Sequence, residues 1–262
     1  MSHSATSDTD LLRVNADRLA ARIEALGAAG AISGGGVCRL ALTAEDRAGR
    51  DLVAGWMREL GLAVTIDGIG NVVGVRQGSE PGPPVMAGSH IDTVATGGRF
   101  DGNFGVLAGL EVIQTLADAN IVTRRPLAVA FFTNEEGARF NPDMMGSLVY
   151  VGGLPLAQAL ATVGIDGESV GVCLQQIGYG GAAPCGNPRV HAYVELHIEQ
   201  GPVLDSEGIT IGAVEGVQGI SWTEFTVQGL SNHAGTTPMR MRHDAGYVAC
   251  AIAQHAREIA RS

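Results

Sequence analysis

Apolar positions along the chain follow two rhythms. Over residues 10–29, Leu12, Leu19, Ile23 and Leu26 recur near the helical period, which predicts an amphipathic helix. TAEDRAGRDLVAGWMRELG offers Thr43 as N-cap, Asp46 three residues later and Gly61 as a stop, and predicts a second helix. NFGVLAGLEVIQTLADAN sets Leu107, Leu110, Ile113 and Leu116 on one face of a third, and RHDAGYVACAIAQHAREIA predicts a closing helix. Between these the spacing changes. AVTI and NVVGVR are short β-type runs, and LAVAFFT (127–133) is the unbroken apolar run of a strand buried on both faces. PPVMAGS and RVHAYVEL read as further strands, and β-type runs recur near Ile209–Ala213 and Ser221–Val227. Residues 141–188 are loop-rich, with short helices expected around Met144–Tyr150 and Leu154–Ala161.

Strands that alternate with helices predict an α/β fold, a mostly parallel sheet flanked by helices. Three polar motifs follow three of the strands: SHID, NEEG and HIEQG. Open α/β sheets collect ligands at the carboxyl ends of their strands. The three motifs are therefore expected to converge on one place.

Composition narrows the chemistry. With 45% hydrophobic and 17% charged residues, the 262-residue chain can bury a core of one large domain, or one domain and part of a second. A net charge of −10 with no basic run argues against nucleic-acid binding. All 17 basic residues are arginine, which excludes a Schiff-base lysine, a P-loop lysine and a carbamylated-lysine metal bridge. The four cysteines form no CxxC pair, and no apolar run approaches the ~18 residues of a membrane helix. MSHSATSDTDLLRVNADRLA lacks the apolar centre of a signal peptide, so a reducing, cytoplasmic location is expected.

The candidate chemistry lies in the polar motifs. GSHIDTVATGGRFDG (88–102) offers His90, Asp92 and Asp101 among glycines. A lone histidine is more often structural, and Asp101 ahead of a helix is as readily a cap as a ligand. His90 and Asp92, two apart, share a face if the segment is extended, so the Asp92 carboxylate is placed to orient the imidazole. Glu135 and Glu136 repel each other at a strand end unless a cation lies between them, and the nearest arginine is Arg139. His197 completes a His/Asp/Glu/His set of the types zinc or manganese accepts. No GxSxG occurs, and GIGNVVG reads better as a turn than as a dinucleotide site.

GSHIDTVATGGRFDG, FTNEEGARF, ELHIEQGPVL and NHAGTTPM together resemble the signature segments of the amidase/hydantoinase/carbamoylase-type dimetal hydrolases, within the aminoacylase and carboxypeptidase superfamily. The resemblance implies two divalent ions, Zn2+ or Mn2+ with Co2+ or Ni2+ as substitutes. It implies His90 and His197 on the first ion, Asp101 bridging, Glu136 on the second, Glu135 as general base and Asp92 orienting His90. Gln200 would line the substrate pocket, and His233 would stabilise the oxyanion from a lid domain that also forms a homodimer. A cis peptide at Asp101–Gly102 is implied as well. The expected division is 1–213 catalytic and 214–262 the start of an inserted α+β lid, with the rest of the lid, a last ligand histidine and a carboxylate-binding arginine missing. Neither His243 nor His255 is a convincing replacement. The implied substrate is an N-carbamoyl-L-amino acid, cleaved to amino acid, carbon dioxide and ammonia, with little activity in the truncated chain. Allantoate or β-ureidopropionate are the alternatives, and an inactive metal-binding module is the rival from another class.

Overall fold

The computed structural model describes residues 12–221 and 223–261. In chain order the elements are α1 (Ala16–Ala28), α2 (Ala44–Glu59), β1 (Ala63–Ile66), β2 (Val72–Arg76), β3 (Val85–His90), α3 (Asn103–Asp118) and β4 (Leu127–Phe132). They continue with α4 (Met145–Tyr150), α5 (Leu156–Ala161), α6 (Val170–Ile177), β5 (Ala192–Val194), α7 (Val203–Glu207) and α8 (Ala245–Ile259).

Local chemistry sets the helix ends. The Asn15 side chain accepts from Arg18 N at 3.0 Å and starts α1, later than residue 10; residues 10 and 11 lie outside the described residues. Thr43 caps α2 by accepting from Asp46 N, while the Asp46 carboxylate accepts from Leu42 N at 2.7 Å. That is a reciprocal cap reaching one residue further back than the usual box. Ser169 and a left-handed Gly178 bound α6, an element the loop-rich reading of 141–188 passed over.

The sheet order is β1-β2-β4-β3-β5. β3 pairs in parallel with β4 and with β5, whereas β1–β2 and β2–β4 are antiparallel. The α/β class holds, but the sheet is mixed rather than mostly parallel. For β1–β2 the cause is the short link, where Asp67 Oδ1 accepts from Ile69 N and Asn71 N and closes a turn. Only antiparallel strands can be joined so briefly. GIGNVVG is thus a turn between strands.

β4 is central and buried on both faces. Val129 and Phe131 enter the main core with Leu26, Val53, Met57, Leu107 and Leu110 from the first three helices. Ala128, Ala130 and Phe132 face the other way, with Val73 and Met86. Each buried leucine in such a core contributes roughly 1.5–3 kcal/mol.

The chain forms two compact units, residues 1–202 and 203–262. In the second, Leu230 bridges His243 and α8 follows an Asp244 cap. The β-type runs near Ile209–Ala213 and Ser221–Val227 form no strand among the described residues, and Trp222 lies outside them. Ile211 and Val217 are 76% and 93% exposed, and an apolar run with no partner strand cannot complete its backbone hydrogen bonds. Among the described residues no helix is long and apolar enough to cross a membrane.

Candidate metal centre

The parallel trio β4-β3-β5 brings its three carboxyl ends to one edge. His90 ends β3, the TNEEG turn follows β4, and His197 lies just beyond β5. His90 Nδ1 stands 2.9 Å from the Asp92 main-chain oxygen, and His197 Nδ1 stands 2.9 Å from that of Ile198. A carbonyl can only accept, so each Nδ1 holds a proton and each ring, when neutral, presents an Nε2 lone pair. Both lone pairs face a carboxylate. His197 Nε2 is 3.2 Å and His90 Nε2 is 3.9 Å from Asp101 Oδ1, and His90 Nε2 is 3.3 Å from Glu135 Oε2. Lone pair against carboxylate is repulsive unless a proton or a metal cation lies between. Donor atoms of His90, Asp101 and His197 all lie within 4.8 Å of one another.

Asp101 is not a helix cap. The N-cap of α3 is Gly102, with no side-chain cap bond, and the Asp101 carboxylate accepts from Gln200 Nε2. Gln200, expected to line a substrate pocket, spends that amide on Asp101 and holds a left-handed φ of 51°. The expected cis bond at Asp101–Gly102 is not found. Among the described residues the cis peptides are Asn141–Pro142 and Asn187–Pro188. A φ of +62° at Gly102 turns the chain into α3 instead, and a Cβ there would collide with the His90 imidazole.

Asp92 also departs from expectation. It is 1% exposed, and its carboxylate accepts from the backbone N–H groups of Glu135 and Glu136, both at 3.3 Å. Its main-chain oxygen orients His90, while its side chain anchors the neighbouring turn. β3 ends at His90, so the shared-face geometry of an extended segment does not reach Asp92.

The TNEEG turn is tied down around its acids. Thr133 N donates to Asn71 Oδ1, and Asn134, at φ 54°, donates to Phe140 O and Pro142 O. Burial pushes the Glu135 carboxyl up, with Asp92 and Glu195 adding to it and His90 opposing. Glu136 is pushed up to about 7 by burial, against His90, with Asp101, Asp92 and Glu135 adding to the rise. Its Oε1 is buried with no hydrogen-bond partner. Burial pulls the His90 imidazole down, but Asp92, Glu135 and Glu136 more than offset it and the net direction is up. Arg139 gives no relief, because its Nε and Nη2 go to Asp166 and its Nη1 to Ala41 O. Two imidazole lone pairs, crowded carboxylates and an orphaned carboxylate oxygen fit divalent cations.

Glu195 escaped the sequence reading. It accepts from Ser89 Oγ at 2.5 Å and Tyr193 Oη at 2.8 Å. Its signal was its place two residues before His197. In the second unit, exposed His233 accepts at Nδ1 from Gly235 N (3.1 Å) and Thr236 N (3.2 Å), which leaves its proton on Nε2. His255 is exposed there, 3.9 Å from Glu258.

Comparisons with known proteins identify the family. Residues 86–261 match the model of Peptidase family M20/M25/M40. The chain is 44% identical over 256 residues to the N-carbamoyl-L-amino acid amidohydrolase of Geobacillus stearothermophilus, covering 95% of this chain and 62% of the relative. It is 34% identical over 252 residues to the ureidoglycolate hydrolase of Arabidopsis thaliana, covering 92% and 53%. A crystal structure of a hydantoinase/carbamoylase family amidase from Burkholderia ambifaria superposes with a TM-score of 0.78 at 45% identity, over 95% of this chain and 62% of that one. The chain therefore spans 53–62% of the length of these proteins. From the histidine-bearing strand ends to the fold around them, the chain belongs to peptidase family M20/M25/M40.

Proposed function

We propose that the protein is a metal-dependent hydrolase of linear C–N amide and ureido bonds, and that N-carbamoyl-L-amino acids are its substrates. The observation that carries this reading is the pair of imidazoles locked with Nε2 lone pairs on Asp101, beside Glu135 and Glu136. The names of the relatives supply the substrate class. His90, His197 and Asp101 would hold one divalent cation and Glu136 would help to hold a second, zinc or manganese, with cobalt or nickel as substitutes. Such ions, when bound, lower the pKa of water and polarise a carbonyl oxygen.

The chain's own residues do the rest. Glu135, raised by burial, takes the proton of the attacking water and returns it to the leaving nitrogen. Asp92 keeps the backbone of both glutamates in place, and Gln200 steadies Asp101. In the homodimer, His233 of one subunit offers its Nε2 proton to the oxyanion that develops in its partner's site. Homodimerisation through residues 214–262 and a cytoplasmic location complete the reading, the latter supported by four free cysteines.

Glu135→Gln is the test, with metal content and turnover of N-carbamoyl-L-amino acids measured side by side in variant and wild type. The expected result is unchanged metal and a turnover lower by about 10²–10⁴-fold. Unimpaired turnover, or a wild type that holds no metal, overturns the proposal. A second reading, favoured by the 34% identity to a ureidoglycolate hydrolase, is a ureido acid such as allantoate, ureidoglycolate or β-ureidopropionate. Relative kcat/KM across these substrates separates it from the first. Metal binding with no turnover of any of them would mark an inactive metal-binding module.

A further inference from the structure

We infer that Glu195 is a positioning residue that holds His197 against Asp101, a step that rests on the metal reading above. The β3–β5 ladder has three residue pairs, and the last is Ala87 with Val194. His197 lies three residues beyond that pair, where no further ladder pairing to β3 continues among the described residues. A side-chain tie takes over. Ser89, 2% exposed, donates its hydroxyl to Glu195 Oε1 at 2.5 Å, and Tyr193 donates to Oε2 at 2.8 Å. An ionised carboxylate is acceptor-only, so both oxygens are committed and the side chain is held from two sides.

The tie connects the two segments that present the imidazoles. Ser89 immediately precedes His90, and Glu195 lies two residues before His197; the rings stand with centroids 6.1 Å apart. α3 braces the same segment from below. A Cβ on Gly105 would stand 2.6 Å from the Leu196 carbonyl oxygen and 3.0 Å from Ser89 Cβ, so only glycine lets the helix approach so closely. Glu195 also raises the Glu135 carboxyl by like-charge repulsion, so its charge does not relieve the crowded acids. Its contribution is geometric: it converts a short edge pairing into a fixed distance between two ligands.

The experiment is Co2+ binding to the purified 262-residue chain, read as visible absorption and as affinity in competition with a chromogenic chelator. Glu195→Ala is expected to weaken Co2+ by about 10–100-fold, the range for loss of an outer-shell partner, and to alter the spectrum. Ser89→Ala, which removes the donor from the same bond, should weaken it in the same direction. Glu195→Gln keeps an acceptor for Ser89 and should stay within about threefold of wild type. A folded Glu195→Ala chain with wild-type affinity and spectrum overturns the inference. So does a Glu195→Gln chain as weak as Glu195→Ala, which would assign the effect to charge. Should Glu195→Ala fail to fold, unchanged affinity in Ser89→Ala is the overturning result. A wild type that binds no Co2+ overturns the metal reading itself, a failure distinct from equal binding by wild type and variants.

Discussion

Gly102 meets two demands at one position. Its φ of +62° lets the chain turn from Asp101 into α3, and its missing side chain leaves room for the His90 imidazole. Gly102→Ala should cost about 1–3 kcal/mol for the positive-φ backbone alone (φ 62°, ψ −47°), read as a fall in thermal or urea stability. Displacing His90 should also weaken Co2+ by tenfold or more, and unchanged affinity would show that the imidazole does not depend on this glycine. The site's residue types were readable from the chain, because adjacent glutamates at a strand end have few structural explanations and four ordered motifs resemble those of one family. Their hydrogen bonds were not. Whether Asp92 uses its carboxylate or its carbonyl depends on where β3 stops, and Glu195 becomes meaningful only once Ser89 lies beside it.

Among the elements, α1 and α3 are joined by an ionic lock. The Glu111 side chain on α3 is fully buried and accepts from Arg18 Nε at 2.8 Å, Arg18 Nη2 at 2.7 Å and Asn15 N at 2.9 Å. Burial pushes its carboxyl up, but the Arg18 bonds and the Asn15 bond outweigh this and hold it below the ordinary glutamate value. A depressed folded pKa gives stability that is fully present above the unfolded value, about 4.3, and is lost as pH falls through the folded one. Glu111→Gln should therefore be less stable than wild type near neutrality, and the gap should close below about pH 4, as urea titrations at several pH values would reveal. A gap independent of pH would mean the lock is not ionic in origin. Element by element, α2, α3 and β4 were plain in the sequence because their apolar pattern, and for α2 the Thr43 cap as well, agreed with the tertiary burial. The runs at 209–213 and 221–227 misled for the opposite reason: β-type composition makes a strand only when a neighbour accepts its hydrogen bonds.

At the scale of the molecule, the parallel half of the sheet positions the site, and that half was foreseen from three motifs following three strands. The antiparallel half was legible only in part: the four residues between AVTI and NVVGVR are too few for a helical crossover and require a reversal, whereas nothing local in the sequence pairs β2 with β4. The ligands it gathers are unequally anchored. His90 ends an inner strand with a side chain 2% exposed, whereas His197 follows a three-residue edge strand and is 32% exposed. Amide hydrogen exchange should accordingly be much faster over 192–200 than over 85–90 and 127–132; equal protection would place all three strands in one cooperative block. If the edge frays first, a chelator strips the cation at the pace of that local opening and not of global unfolding. Loading and loss would then proceed through a hinged doorway, with two of the three ligands waiting in place while the third swings aside.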